Sequence, residues 1–378
     1  MPLLSACTTL QDYLDLRRGR PAPEPAPVPL AERPELEPID PNRFVLESPE
    51  QSVVGVPQVV YASDTDTLSD LARAYGLGFD EILAANPGVD PWLPGAGTPV
   101  LLPTQFVLPD VPREGIVLNI ASKRLFYFPK TGANLPQFVL TYPIGIGRVG
   151  WETPLGSTAV VSKAVDPTWY VPLSVRREHA EMGDPLPAVV PPGPDNPLGT
   201  RVLKLDMPGY LIHGTNQPYG VGMRVSHGCI RLYPENVEFL YELVEVGEPV
   251  RIINEPFLLG RLDGDWYFES HRPLEDDAVD PEERLAAIFA AAGDAFSPPL
   301  QNHTRAIASE ASGLPVRVTR YDTAEVLARA RRVRNTVEID PENPTIEEVR
   351  EMIDEAVAEA ELEEAVEAVE DEPEAAAN

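Results

Sequence analysis

Two short motifs place a candidate nucleophile and a candidate base in the same part of the chain. The first is His213-Gly214-Thr215, and the second runs from Ser226 to Leu232 with the letters SHGCIRL. A thiol is a useful nucleophile only as a thiolate, and a nearby imidazole can accept its proton. Cys229 is therefore a candidate nucleophile and His213 a candidate base for acyl transfer through a thioester.

Gly228 precedes the candidate nucleophile. The absence of a Cβ there permits unusual backbone angles and a close approach of substrate. A turn at this point would aim the N–H groups of Gly228 and Cys229 at one position. Such donors form an oxyanion hole, which stabilises a tetrahedral intermediate by a few kcal/mol per donor.

A zinc site is the competing interpretation, since His213, His227 and Cys229 form a known ligand set. No fourth ligand is spaced nearby, and the Gly-Cys turn fits an oxyanion hole better. We therefore expect neither a metal nor an organic cofactor. The other histidines share no motif with a cysteine and are predicted to be structural: His179, His271 and His303.

The charge of the chain excludes nucleic acid as a partner. The 378 residues include 60 acidic and 30 basic side chains, for a formal net charge of −30. A protein that neutralises phosphates needs a surplus of Lys and Arg. The charge is uneven, because residues 336–378 hold 17 acidic residues and one arginine. This tail is predicted to be solvated, and either disordered or partly helical.

The N-terminus carries a second candidate site. Leu4-Ser5-Ala6-Cys7 resembles a bacterial lipobox, in which the cysteine is lipidated after signal cleavage, but the stretches that normally precede it are missing. We expect that translation starts further upstream and that a lipid on Cys7 is the only contact with a membrane. The alternative is that Cys7 is present by chance and is not lipidated. Nine prolines between Pro21 and Pro49 predict an extended stalk that buries no core.

Residues 58–104 are predicted to form a small β-α-α-β module. Its first helix begins with a capping box at Thr67 and Asp70 and ends at Gly76, and its second helix stops at Asn86-Pro87-Gly88. The pattern resembles a LysM domain, a family that binds glycans containing N-acetylglucosamine. The alternative is a small structural α/β unit.

The fold class predicted for the whole chain is multidomain α+β. Residues 115–253 have the pattern of a mostly β domain, with one helix from Pro234 that ends at Gly247. Beyond it, a hairpin and a helix from Pro281 to Ala292 are predicted to pack on this domain. The predicted divisions are an N-terminal segment 1–20, a proline-rich linker 21–57, the LysM-like module 58–104, the mostly β domain 115–253, an accessory extension 254–335 and the acidic tail 336–378.

The mostly β domain resembles the L,D-transpeptidase catalytic family. The family signature is a His-Gly strand end, then Ser-His-Gly-Cys, an apolar residue and Arg or Asn, as at His213 and Ser226 to Arg231. The likeness also covers three upstream segments: Tyr142 to Gly147, Thr153 to Gly156 and Pro167 to Trp169. It implies that Cys229 attacks the carbonyl between the third and fourth residues of a peptidoglycan stem peptide and that D-alanine leaves.

The resemblance also implies roles for the neighbouring residues. The carbonyl of Gly214 would orient His213, which takes and returns the proton, and His227 would support the environment of the cysteine. Ser226 and Arg231 would fix the turn or engage substrate, and the residues alone leave these alternatives open.

For the whole protein, the resemblance implies a periplasmic enzyme associated with the cell wall. Such an enzyme acts on stem peptides and is acylated by carbapenems. The stalk and the LysM-like module would hold it near glycan strands, with a lipid anchor in the outer membrane. The acceptor would be an amine of a second stem peptide or of an outer-membrane lipoprotein.

Three alternatives to transpeptidation remain at the level of the sequence. Water as the acceptor would give an L,D-carboxypeptidase or hydrolase on the same site. A protein-cutting Cys-His peptidase would leave the glycan-binding module unexplained. A non-catalytic wall-binding protein would have no need of an intact Cys229 and His213. Gly220 to Arg224 is either a mobile flap over the groove or a simple connection.

Overall fold

The structure is a computed structural model that describes residues 28–130, 137–293, 296–320 and 323–337. The chain divides into two units, Met1–Pro34 and Glu35–Asn378. In the first unit, the described residues hold a 3-10 turn at Leu30–Glu32. Cys7 and residues 338–378 of the predicted tail lie outside the described residues.

The second unit holds all the strands and α-helices of the described residues. The strands are β1 (Arg43–Val45), β2 (Val53–Gly55), β3 (Gln58–Tyr61), β4 (Pro99–Leu102), β5 (Gln105–Val107), β6 (Gly115–Asn119), β7 (Arg124–Phe128), β8 (Phe138–Pro143), β9 (Ile146–Gly147), β10 (Gly156–Val165), β11 (Trp169–Tyr170), β12 (Val189–Val190), β13 (Arg201–Leu205), β14 (Leu211–His213), β15 (Arg224–Ser226), β16 (Ile230–Arg231), β17 (Pro249–Ile253), β18 (Phe257–Leu262), β19 (Asp265–Ser270), β20 (Val316–Arg317) and β21 (Arg331–Arg332). The helices are α1 (Leu68–Ala74), α2 (Phe79–Ala85), α3 (Leu173–Glu181), α4 (Pro234–Leu243), α5 (Pro281–Ala292), α6 (Pro298–Glu310) and α7 (Thr323–Arg329).

The predicted mostly β domain is built on a mixed sheet, which has nine strands within the described residues. Their order is β1-β8-β7-β6-β17-β10-β13-β14-β16. The pairs β6 with β17 and β14 with β16 are parallel, and the other neighbours are antiparallel. Strands β14 and β16, which carry His213 and Arg231, thus lie at one edge of the sheet.

Both faces of β6 and β7 are buried, against different parts of the chain. Alternate residues such as Ile116 and Leu125 belong to a hydrophobic cluster that includes Val237 and Leu240 of α4. Their neighbours, Phe126 among them, belong to a second cluster with the core of the 58–104 module. This explains why the two strands are apolar at nearly every position, since a strand with one solvated face would alternate.

The β-α-α-β order predicted for residues 58–104 is present as β3, α1, α2 and β4. The hydroxyl and carboxylate of the Thr67 and Asp70 capping box bond as predicted, and Gly76 follows α1 with a φ of +63°. Strand β21 adds a third strand beside β3. The module shares a hydrophobic core with the main sheet and is not packed as a separate domain. Its binding of glycan stays a prediction.

The proline-rich segment is more structured than its composition indicates. Within predicted linker 21–57, β1 pairs with β8 at the edge of the main sheet, and β2 pairs with β5. Val53 and Val54 are buried. The extended stalk is therefore wrong for this part of the chain, because apolar residues spaced between the prolines supply short strands that other elements complete.

Helix α4 begins at Pro234 as predicted but ends at Leu243, before Gly247. Val244 is already extended, and Lys163 Nζ donates to the carbonyls of Tyr241 and Val244. A side chain from β10 therefore ends the helix, which sequence periodicity could not reveal.

The hairpin β18–β19 and helix α5 confirm the two elements predicted in the accessory extension. The hairpin packs on β2 and β5, which lie outside the 115–253 domain on which it was predicted to pack. Leu258, Tyr267 and Val107 form the contact, with Glu269 accepting from the N–H of Val107 at 2.6 Å. The elements α3, α6 and α7 were not predicted. Among the helices described, none has the length and apolar character to cross a membrane.

Candidate active site

The register of β14 and β16 places the two catalytic candidates on one face of the sheet. His213 pairs with Arg231 and Ile212 with Ile230. Both isoleucines lie in the buried cluster under α4. Because side chains alternate along a strand, His213 and Arg231 face away from that core. Cys229 directly precedes the first residue of β16, Ile230, and its thiol accepts from the N–H of Leu211, the first residue of β14.

A turn held by side chains leads into the cysteine. Ser226 is buried, and its hydroxyl donates to the carbonyl of Cys229 at 2.5 Å. Thr153 donates its hydroxyl to the carbonyl of Gly228 at 3.0 Å and accepts from the N–H of Gly147 at 3.3 Å. Ser226 therefore fixes the turn, one of the two roles left open by the sequence.

Two glycines, Gly228 in this turn and Gly147 of β9 beside it, have no room for a side chain. A Cβ on Gly147 would lie 1.9 Å from the carbonyl oxygen of Trp151, and one on Gly228 would lie 2.9 Å from a ring carbon of Tyr210. Gly228 also has a φ of +94°. The N–H groups of Gly228 and Cys229 have no acceptor among the described residues. They are the donors predicted for an oxyanion hole.

His213 is oriented by the backbone. The ring is buried, and its Nδ1–H donates to the carbonyl of Gly214 at 2.6 Å. This tautomer leaves Nε2 as an acceptor. Burial and the charge of Arg231 lower the pKa of His213 to about 3, with the Gly214 bond acting in the opposite direction. The imidazole is therefore neutral at neutral pH and able to take a proton.

Cys229 is a free, partly buried thiol. Burial raises its pKa, although the N–H of Leu211 and the charge of Arg231 act to lower it. Its Sγ lies 3.6 Å from the carbonyl oxygen of Gly209. The resting pair is consequently a neutral thiol with a neutral imidazole, so proton transfer must accompany attack on substrate.

A second histidine joins the nucleophile turn to α3. His227 Nε2–H donates to one carboxylate oxygen of Glu178 at 2.6 Å, and Arg148 pairs with the other oxygen. Trp151 packs edge-on against the imidazole, with ring centroids 4.9 Å apart. Burial, then Arg148, Arg231 and His179, lower the pKa of His227 to about 4.

Arg231 is an unpaired cation beside the nucleophile. Its Nε is buried without a hydrogen-bond partner, and within the described ranges no carboxylate lies in salt-bridge distance of it. The hydroxyl of Tyr219 is also buried without a partner, and each group influences the pKa of the other. Internal anchoring by a carboxylate, the structural role open at the sequence level, is therefore absent here.

The residues 218–224, which we call the flap, carry Tyr219. The flap consists of the 3-10 turn Pro218–Gly220 and the start of β15. Arg224 donates to the carbonyl of Gly147 and pairs with Glu275 and Asp276 of the accessory extension. The segment is thus held on several sides, and its motion over the groove stays a prediction.

The structure brings the predicted site residues into one region and adds others. In the part of the chain that it describes, no three side chains of His, Cys, Asp or Glu converge as metal ligands. Sequence reasoning missed four contributors: Arg148, Trp151, Glu178 and Tyr219. Only Tyr219 carried a signal, through its place next to the predicted flap that ends at Arg224; the other three come from other elements.

These features are the ones expected of a thiol enzyme with a nearby imidazole. Comparison with known proteins places the chain more narrowly. The L,D-transpeptidase catalytic domain model of the YkuD family matches residues 113–252. The probable L,D-transpeptidase YcfS of Escherichia coli K12 is 40% identical over 273 residues, covering 70% of this chain and 84% of that protein.

Two further relatives have similar names. The probable L,D-transpeptidase YbiS of the same strain is 44% identical, covering 63% of this chain and 74% of that protein. The probable L,D-transpeptidase ErfK/SrfK of Salmonella typhimurium is 43% identical, covering 61% and 72%. The chain belongs to the L,D-transpeptidase family and is an enzyme of that type.

Proposed function

We propose that the enzyme acts on peptidoglycan stem peptides with Cys229 as nucleophile and His213 as general base. The observation that carries the proposal is the β14–β16 register, which pairs His213 with Arg231, two residues beyond Cys229. Nε2 of His213 accepts the thiol proton as Sγ attacks the carbonyl between the third and fourth stem residues. The C–N bond then breaks, the imidazole returns the proton to the amine of D-alanine, and a thioester remains.

The N–H groups of Gly228 and Cys229 stabilise the oxygen of the tetrahedral intermediate. Support comes from the lack of any other acceptor for them and from the φ of +94° at Gly228, which aims the turn. Fixed backbone donors need no reorganisation during the reaction. Ser226 and Thr153 hold the turn rigid by their bonds to the carbonyls of Cys229 and Gly228.

Arg231 and Tyr219 bind a carboxylate of the stem peptide. The Nε of Arg231 is buried without a hydrogen-bond partner among the described residues. An unsatisfied buried donor costs free energy, which an anionic ligand recovers. The guanidinium has several N–H donors that match a carboxylate, and the Tyr219 hydroxyl adds another. The position of Arg231, two residues beyond Cys229, puts this carboxylate next to the scissile carbonyl.

An amine then attacks the thioester carbonyl, forms a new amide bond and restores the Cys229 thiol. The acceptor is the side-chain amine of a diaminopimelate in a second stem peptide or the amine of an outer-membrane lipoprotein lysine. Water in its place would give an L,D-carboxypeptidase. The names of the relatives favour the transfer reaction.

We propose a periplasmic, wall-associated location, with residues 58–104 binding glycan strands and Cys7 carrying a lipid. Binding of the glycan would raise the effective concentration of the attached stem peptide. A sedimentation assay with insoluble peptidoglycan tests this role, using the inactive Cys229→Ala protein so that the wall is not altered. Failure to co-sediment would leave the module with a purely structural role.

The deciding experiment is intact-mass spectrometry after incubation with a disaccharide tetrapeptide. The wild type should lose D-alanine from the substrate and gain an acyl adduct on Cys229. Cys229→Ala should do neither, whereas Cys7→Ala, which removes the other cysteine of the chain, should behave as wild type. Dimeric muropeptides would indicate a cross-linking enzyme and tripeptide monomers a hydrolase. No adduct and no dependence on Cys229 would refute the mechanism.

A further inference from the structure

The 58–104 module touches the flap beside the active site. The N–H of Phe79, the first residue of α2, donates to the carbonyl of Val221 at 3.1 Å. Gly78 and Gly222 meet backbone to backbone: a Cβ on Gly78 would lie 2.7 Å from the Cα of Gly222, and a Cβ on Gly222 would lie 2.3 Å from the Cα of Gly78. Only two glycines permit this approach.

The contact is rigid on the module side. The carboxylate of Glu81 accepts from the N–H of Gly78 at 2.6 Å and pairs with Arg124 of β7 through two bonds of 2.7 Å. Arg124 also donates to the carbonyl of Gly76 at 3.1 Å. The turn before α2 is thereby fixed to the main sheet by a buried ion pair whose guanidinium is 1% exposed.

The contact continues toward the nucleophile on the flap side. Gly145 lies between the flap and β16, since a Cβ there would be 3.0 Å from the carbonyl oxygen of Gly220 and 3.4 Å from Cβ of Arg231. Gly145 and Arg231 also exchange two backbone hydrogen bonds, of 2.9 and 3.0 Å. A displacement of the flap at Gly222 would therefore move Tyr219 relative to Arg231.

We propose that Gly78 and Phe79 of the module are positioning residues for the reaction, because they hold the flap so that Tyr219 and Arg231 form one anion-binding site beside Cys229. The module is then a structural part of the active site, in addition to any role in glycan binding. The inference rests on the proposed role of Arg231 as the group that binds a carboxylate.

Two alkylating reagents separate positioning from stability. Iodoacetate carries a carboxylate that Arg231 can attract, and iodoacetamide is its uncharged analogue. The ratio of their rates with Cys229 reports the anion site and is independent of the amount of folded protein. In the wild type the ratio should exceed that of Arg231→Gln, and this comparison tests the proposed role of Arg231 by itself.

Alanine accepts the φ of −88° at Gly78. Gly78→Ala should lower the ratio by about tenfold or more, since a misplacement of about 1 Å can cost roughly a hundredfold in rate. Gly222→Ala should do the same from the other side of the contact. The control for Gly222→Ala is Gly247→Ala. The φ of Gly247 is +96° and that of Gly222 is +88°, but a Cβ on Gly247 would meet open space. The control should keep the wild-type ratio.

Thermal unfolding of each variant establishes that it is folded at the temperature of the assay. A low ratio in Arg231→Gln with wild-type ratios in both folded glycine variants would overturn the inference and leave the proposed function intact. A wild-type ratio in Arg231→Gln would instead overturn the anion site itself. If Gly222→Ala does not fold, Gly78→Ala and Tyr233→Phe test the positioning role. The Tyr233 hydroxyl donates to the carbonyl of Leu77 at 3.0 Å, next to Gly78. Loss of this bond should lower the ratio.

Discussion

Arg231 lies beside His213 in the parallel pairing of β14 and β16, and its charge reaches both the imidazole and the thiol of Cys229. Replacement of Arg231 by Gln should lower kcat/KM for a tetrapeptide substrate by roughly 10- to 100-fold, mainly through KM. A charge-assisted bond is worth about 1.5–3 kcal/mol. Steady-state kinetics with Arg251→Gln, in β17 of the same sheet, as the control would show the effect, and an unchanged KM would contradict it.

The pKa directions at the site predict how the thiol responds to pH. Burial raises the pKa of Cys229 and lowers that of His213 to about 3. The thiolate fraction, and with it the alkylation rate by iodoacetamide, should rise roughly tenfold per pH unit from pH 6 to 9. A rate that levels off below neutral pH would show a thiolate–imidazolium pair in the free enzyme instead.

Glu178 should position His227 and hold α3 over the site. Val175 is the side chain that α3 buries, so the helix depends on polar contacts. Glu178→Gln should lower kcat/KM by roughly tenfold, the order of one bond to a charged group. Glu181→Gln on the same helix, where the residue is exposed, is the matched control. Equal activities of the two variants would exclude the role.

The Glu81–Arg124 pair should stabilise the whole second unit. Glu81→Gln leaves a buried arginine without its charge partner and should reduce the free energy of unfolding in urea by about 3–5 kcal/mol. Glu235→Gln breaks the partly exposed pair with Arg73 and should cost less than about 1 kcal/mol. Two separate unfolding transitions would show that the module is independent of the main sheet.

Carbapenems should acylate Cys229 if the family chemistry applies. Opening of the lactam ring by Sγ adds the full mass of the drug to the protein, which intact-mass spectrometry detects. Cys229→Ala should remain unmodified under the same conditions. A drug adduct on that variant would place the reactive nucleophile elsewhere.

The sequence alone indicated the family and those elements whose signals are local. SHGCIRL and the earlier His-Gly pair carry the proposed nucleophile, base and turn within 20 residues. The Thr67 capping box and the Asp263-Gly264 hairpin are also local features, which is why they could be predicted. The unbroken apolar runs in β6 and β7 indicate burial on both faces, but a run cannot say what covers each face.

The tertiary structure decided what depends on contacts between distant segments. Arg148 and Glu178 reach His227 from other elements, and no spacing in the chain announces them. Among the described residues no carboxylate pairs with Arg231, and only folded coordinates distinguish it from an anchoring arginine. The same holds for Gly78 and Gly222, which are 144 positions apart and become neighbours because the module and the main sheet share one core.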